Sequence, residues 1–167
     1  NYNVKYYVAQ CIDSVRRALR GIDSEIIVVD NHSRDGSVDY LSKIEGVRII
    51  ESGHNLGFSK ANNIAIRQST AEYVLMLNPD TIVAEDAIRM IIDFADSHPQ
   101  AGGIGVRMYN DWGTTARESR RGLPSPMTSF YKIIGLSKRL PQHRKYGRYY
   151  MGWLPWDSPS RIEVVSG

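Results

Sequence analysis

Asp30 and Asp80 are the residues of this sequence best placed to do chemistry. Each follows a short apolar run, Asp30 after I-I-V-V and Asp80 after L-M-L-N-P. Such runs read as strands buried on both faces of a parallel sheet. Ligands of open parallel sheets gather outside the carboxyl ends of the strands, so the two carboxylates are expected to open on one cleft. An acid there can accept hydrogen bonds from hydroxyls or a base N–H, or offer a hard oxygen to Mg2+ or Mn2+. The same residue can also simply cap the helix that follows, and both readings stand at this point.

The other polar residues divide in the same way. Gly57 lets the backbone come close to a ligand, and the helix start behind it offers N–H groups to an anion, while Asn55 and Asn63 read on their own as turn and cap residues. Ser33 and Asp35 read as holding the turn after Asp30, and His32 and His54 as polar loop residues. Arg120 and Arg121 have guanidinium groups suited to phosphate, although solvent exposure is the simpler reading of each. Tyr149, Tyr150, Trp153 and Trp156 fit either a platform for an acceptor or membrane surface, or a lid packed on the core.

Elements that position these residues follow from periodicity. Val8, Ile12, Val15 and Leu19 recur at steps of four, three and four, one face of a helix over residues 5–20 that ends at Gly21. Strands are expected at 25–30, 47–51, 73–78 and 103–108. Helices are expected from Asp35 or Ser37 to Ile44, over 58–68, from Glu85 to Ser97, and around Met127, Phe130, Ile133 and Ile134. Residues 110–113 read as a turn, and 144–157 as an aromatic stretch of undefined form. Strands alternating with helices give an α/β fold, a mostly parallel sheet with helices on both faces.

Composition bounds the rest. The chain has 167 residues, 42% hydrophobic and 23% charged, with 21 Lys and Arg against 18 Asp and Glu. That is the size of one domain with one core, too apolar for disorder, and no run approaches the roughly 18 apolar residues of a spanning helix. Cys11 is the single cysteine, so no internal disulfide or cysteine-based zinc site is available. Basic residues crowd the final third, which suits either a solvated face or an anionic partner.

Four segments together carry a resemblance. N-Y-N at 1–3, V-V-D-N-H-S-R-D-G-S at 28–37, H-N-L-G-F-S-K-A-N-N at 54–63 and L-N-P-D-T at 77–81 stand in the order and spacing of the family 2 glycosyltransferases. The sequence particularly resembles their bacterial rhamnosyltransferase-like branch, in which L-N-P-D replaces an Asp-x-Asp motif. The resemblance implies a GT-A fold, a Rossmann-like nucleotide-diphospho-sugar transferase domain. It also implies a divalent cation, Mg2+ or Mn2+, held by Asp80, with Asn78 in place of a first acid. It further implies contacts to a nucleotide sugar from Tyr2, Asp30, Asn55, Gly57 and Asn63.

What the resemblance implies in function is inverting transfer of a sugar, rhamnose among the candidates, to a saccharide or lipid-linked acceptor in bacterial surface polysaccharide synthesis. The implied setting is the cytoplasm, at the inner face of the membrane, without nucleic acid. Inverting transfer needs a carboxylate base, which the family places in an acidic motif beyond a strand matching V-S-G at 165–167, so no residue here is assigned as base. The start at Asn1 and the strand-like end at 161–167 lead to the expectation of an incomplete single domain lacking a first, central strand and an acceptor side. A nucleotide-sugar-binding module without transfer activity is the alternative. A nucleotidyltransferase, which would need a Gly-rich phosphate loop with a following Lys, is a further one, and a Rossmann dehydrogenase would need G-x-G-x-x-G.

Overall fold

The run I-I-V-V-D forms strand β1 (Ile26–Asp30), and V-R-I-I-E forms strand β2 (Val47–Glu51), paired in parallel with Ile26 opposite Val47 and Asp30 opposite Glu51. Between them helix α2 (Ser37–Leu41) makes the crossover, and helix α1 (Lys5–Ala18) precedes β1. Side chains alternate across a strand. Val28, with Ile26 beside it, meets Val8 and Ile12 of α1 and the fully buried Leu41 of α2 in one apolar cluster, closed by Ile44, Val47 and Ile49. Helix α3 (Phe58–Gln68) also packs against β1, and Val29 is buried beside Val28. Helix α4 (Ala87–Ser97) follows, in contact with α1. The computed structural model describes residues 1–165; the chain divides into two compact units after Pro99, and all the elements above belong to the first, Asn1–Pro99.

Helix α1 has no side-chain cap from its own N-cap residue, Val4. Its first N–H, that of Lys5, is instead taken by the carboxylate of Asp35 at 2.9 Å, which also accepts from the Ser37 N–H at the start of α2. One acid therefore caps two helices, with its negative charge at the positive end of each. The predicted apolar face of α1 is buried at Val8 and Ile12, and Cys11, Ser14 and Ala18 join it.

The second unit is built from short pieces. Residues 110–113 turn as expected, with the Gly113 N–H on the Asn110 carbonyl, and Tyr109 bridges Thr115 in antiparallel fashion. Helix α5 (Pro126–Ile133) starts at Ser125, whose side chain and that of Thr128 cap reciprocally, and helix α6 (Leu136–Arg139) follows. Among the described residues no helix is long and apolar enough to cross a membrane.

Two expectations are corrected. Among the described residues the sheet has two strands: 73–78 and 103–108 carry no ladder, and Tyr73, Val74, Leu75 and Met76 are 45–58% exposed. Apolar and β-branched composition fits a segment for pairing but does not supply the neighbouring edge. Of the edges of β1, one is filled by β2; beside the other, at the carboxyl end, the Asn1 backbone N bonds Val29 O at 2.7 Å and the Asn31 N–H bonds Asn1 O at 2.8 Å. Second, Arg120 is buried, not solvent-exposed. The helix expected around Met127, Phe130, Ile133 and Ile134 is present as α5, with Ile133 83% exposed and Thr128 and Tyr131 buried. The strand expected at the end of the chain reduces to a bridge between Arg121 and Val164, and Ser166 and Gly167 lie outside the described residues.

Candidate functional site

At the carboxyl end of β1, two sequence segments some thirty residues apart are laced into one frame. Asp30, 1% exposed, accepts from the Asn1 side-chain amide at 2.7 Å through Oδ2 and from the Ser33 N–H at 2.8 Å through Oδ1. Ser33 Oγ accepts from the Asn1 amide and from the Asn3 N–H, and Asn3 Oδ1 accepts from the Arg34 N–H at 2.8 Å. Asp35 completes the lacing at Lys5. Asn3 and His32 sit at positive φ, 53° and 68°, where the frame bends sharply.

Ser33 and Asp35 thus hold the turn, as their positions in sequence suggested. Asp30 does so too, yet each of its oxygens retains an acceptor site, since a carboxylate offers about four lone-pair directions. Its burial differs from the open carboxylate that was expected. Tyr2, between the two laced asparagines, leaves its side chain half exposed beside the frame.

The loop carrying Asn55 and Gly57 hangs from the same edge. Asn31 Oδ1 accepts from the Leu56 N–H at 3.3 Å, and Ser52, placed by its N–H on Asp30 O at 3.0 Å, bonds the His54 carbonyl. Asn55 is a turn residue, its Oδ1 accepting from the Gly57 N–H at 2.9 Å. Gly57 has φ 77° and ψ 172°, a conformation essentially confined to glycine, and no protein atom lies within 4 Å of where its Cβ would be. The start of α3 is therefore open toward solvent. Asn63, inside α3, is exposed.

Asn78 and Asp80 reach the fold through α1. The Cys11 thiol donates to the Asn78 carbonyl at 3.6 Å, and Ser14 Oγ accepts from the Val83 N–H at 3.0 Å. Burial pushes the Cys11 thiol up, a backbone hydrogen bond involving Thr81 opposes this, and the charge of nearby Asp80 adds to the rise. Asp80 itself is exposed, in the turn after Pro79. The structure thus gathers Tyr2, Asp30, Asn55 and Gly57 at the sheet edge, and sets Asn78 and Asp80 against α1.

Among the described residues no group of three or more His, Cys, Asp or Glu could cage a metal ion. An exposed single carboxylate beside an amide nevertheless fits Mg2+ or a similar ion held mostly by water and ligand phosphates, the usual way this class of cation is bound. Asn1, Asn3 and Ser52 were not singled out as site residues, yet they tie the edge together. For Asn1 and Asn3 the signal was N-Y-N, a pair of polar side chains at spacing two, and Ser52 carried none.

Parallel strands with flanking helices and a polar frame at their carboxyl ends define an α/β protein of the kind that takes its ligand at the strand ends. The profile of Glycosyl transferase family 2 matches residues 1–162, and the chain belongs to that family. It is 32% identical over 142 residues to the low-salt glycan biosynthesis hexosyltransferase Agl10 of Haloferax volcanii, covering 83% of this chain and 44% of that protein. It is 34% identical over 100 residues to the poly(ribitol-phosphate) beta-glucosyltransferase of Bacillus spizizenii, covering 56% of this chain and 16% of that protein. The crystal structure of S. aureus TarS 1-349 superposes with a TM-score of 0.59 at 23% identity over 77% of this chain and 37% of that one, and shows the shared GT-A fold. The chain spans less than half the length of these relatives.

Proposed function

We propose that this chain binds the nucleotide-diphosphate sugar for an inverting transferase that builds a surface polysaccharide, passing the sugar to a saccharide or lipid-linked acceptor. The observation that carries this reading is the laced frame at the carboxyl end of β1, which fixes Asp30 beside Tyr2 and the Asn55–Gly57 loop. The free acceptor sites of Asp30 suit the ribose or base N–H, Tyr2 supplies an aromatic face for the base, and the start of α3 turns N–H groups toward an anion. Asp80 is the carboxylate that would hold Mg2+ or Mn2+, and the ion would offset charge on the leaving diphosphate.

No general base is assigned within the chain. Glu163, the late acid with defined partners, accepts from the Leu123 N–H and from Arg148 at 2.7 Å; these bonds outweigh slight burial and hold its carboxyl below the ordinary value, which suits an ion-pair partner better than a base. Rhamnose belongs among the donors to test because of the L-N-P-D segment. A cytoplasmic, membrane-adjacent setting, where nucleotide sugars meet lipid-linked acceptors, is part of the same reading. Calorimetry of the 167-residue chain with UDP-, dTDP- and GDP-sugars, dTDP-rhamnose included, with and without Mn2+, tests it. Saturable binding of one nucleotide class supports the reading, and no binding of any overturns it.

A further inference from the structure

Arg120 combines burial with unused donors. It is 5% exposed in the second unit, its Nη1 donates to the Pro155 carbonyl at 2.9 Å, and its guanidinium carbon lies 3.5 Å from the ring centre of Trp156. Its Nε and Nη2 are buried and have no hydrogen-bond partner among the described residues. Those two nitrogens share one edge of the guanidinium, and their parallel N–H bonds form the fork that matches two oxygens of a single oxyanion. A buried donor pair of this kind is normally satisfied.

The surroundings add positive charge. Arg107 lies 5.7 Å from the same Trp156 ring, and burial together with Arg107 pushes the Arg120 pKa down. A cavity of about 190 Å³ is lined by Arg117, Arg120, Tyr150 and Trp156 among others, ample beside the roughly 10–15 Å³ that one water needs. Residues 100–165 hold eleven Lys and Arg against four Asp and Glu. The neighbours of Arg120 are fixed: Ser119 accepts from the Met108 N–H and donates to the Ala116 carbonyl, and Arg121 bridges Val164.

We propose that the second unit carries a built oxyanion site, with the Nε and Nη2 edge of Arg120 as its fork, and that its ligand is a phosphate group. Phosphate is favoured over a carboxylate because its double charge answers Arg107 and Arg117 as well as Arg120. The fork belongs to the second unit, and the proposed nucleotide-sugar residues belong to the first. The phosphate can be borne by a donor diphosphate or by a phosphorylated acceptor.

The test is titration of the 167-residue chain with inorganic phosphate at constant ionic strength, following the ¹H–¹⁵N resonance of the Arg120 Nε–H assigned through its own side-chain carbons. A saturating shift is expected, with acetate at least tenfold weaker. An unmoved Arg120 resonance, or acetate binding as tightly as phosphate, overturns the proposal. Arg120→Lys keeps the charge and loses the fork; it should weaken phosphate at least tenfold while circular dichroism stays unchanged, and full affinity in that variant counts against the fork. If Arg120→Lys does not fold, the wild-type titration decides alone. Asp30→Ala, with circular dichroism unchanged, should leave phosphate binding intact even where it abolishes nucleotide binding, and loss of both in the folded variant would tie the phosphate to Asp30 and refute the site. Pyrophosphate and glycerol phosphate as competing probes separate the two sources.

Discussion

At the scale of the residue, Asp30 and Asp80 are set apart by their environments. Asp30 satisfies two donors in a closed frame, so Asp30→Ala leaves one Asn1 amide hydrogen bond and that of the Ser33 N–H unmade and should cost about 1–3 kcal/mol of stability in urea denaturation. It should also weaken nucleotide-sugar binding whether or not Mn2+ is present. Asp80→Asn should leave stability within about 0.5 kcal/mol, as for most surface changes, and remove only the metal-dependent part of binding. Calorimetry in which both variants bind every nucleotide diphosphate as tightly as wild type would dispose of both roles. Gly57 makes a third case: Gly57→Ala forces a side chain into a conformation essentially confined to glycine and should destabilise by about 1–3 kcal/mol, although nothing crowds the new methyl.

At the scale of the element, Asp35 joins two helices, and its loss should be felt in both. Slight burial works against its charge, but the bonds from Ser37 Oγ, the Lys5 N–H and the Ser37 N–H outweigh this and hold the carboxyl below its ordinary value. The unfolded chain then binds this proton more readily than the folded one. The resulting stability is present above the ordinary carboxylate range and is lost as the pH falls through the lowered value. Asp35→Asn should therefore flatten the acid limb of a plot of melting temperature against pH, and a limb of unchanged slope would assign acid sensitivity elsewhere. Much of this layer was legible in the sequence: β2 and α3 fall at the predicted boundaries, because the apolar period and the glycines at 46 and 57 mark them locally. What was not legible depends on distant partners. Nothing near Lys5 announces that its cap comes from residue 35, nothing within Y-V-L-M-L-N says whether an edge awaits it, and nothing in S-R-R says that the first arginine is buried under Trp156 and the second bridged to Val164.

At the scale of the whole molecule, Tyr2, Asp30, Asn55, Gly57 and Asp80, the residues proposed for the nucleotide sugar and its cation, lie within Asn1–Pro99, and no base for the acceptor is assigned in either unit. Binding without turnover is the expected behaviour of these 167 residues, since a positioned base contributes roughly 10²–10⁴-fold and acceptor placement more. Sugar transfer by this chain at the rate of a protein as long as its relatives would show that the base is among the residues described. The lacing of Asn1 and Asn3 to Ser33 and Asp30 has a consequence for ancestry and for chimeras. Two stretches that look like separate signatures are a single heritable part, whose halves have no independent fit to a foreign partner. Exchanging residues 1–3 alone, or 30–35 alone, with a divergent relative should yield hybrids that melt early, whereas transplanting both stretches together should restore the melting temperature.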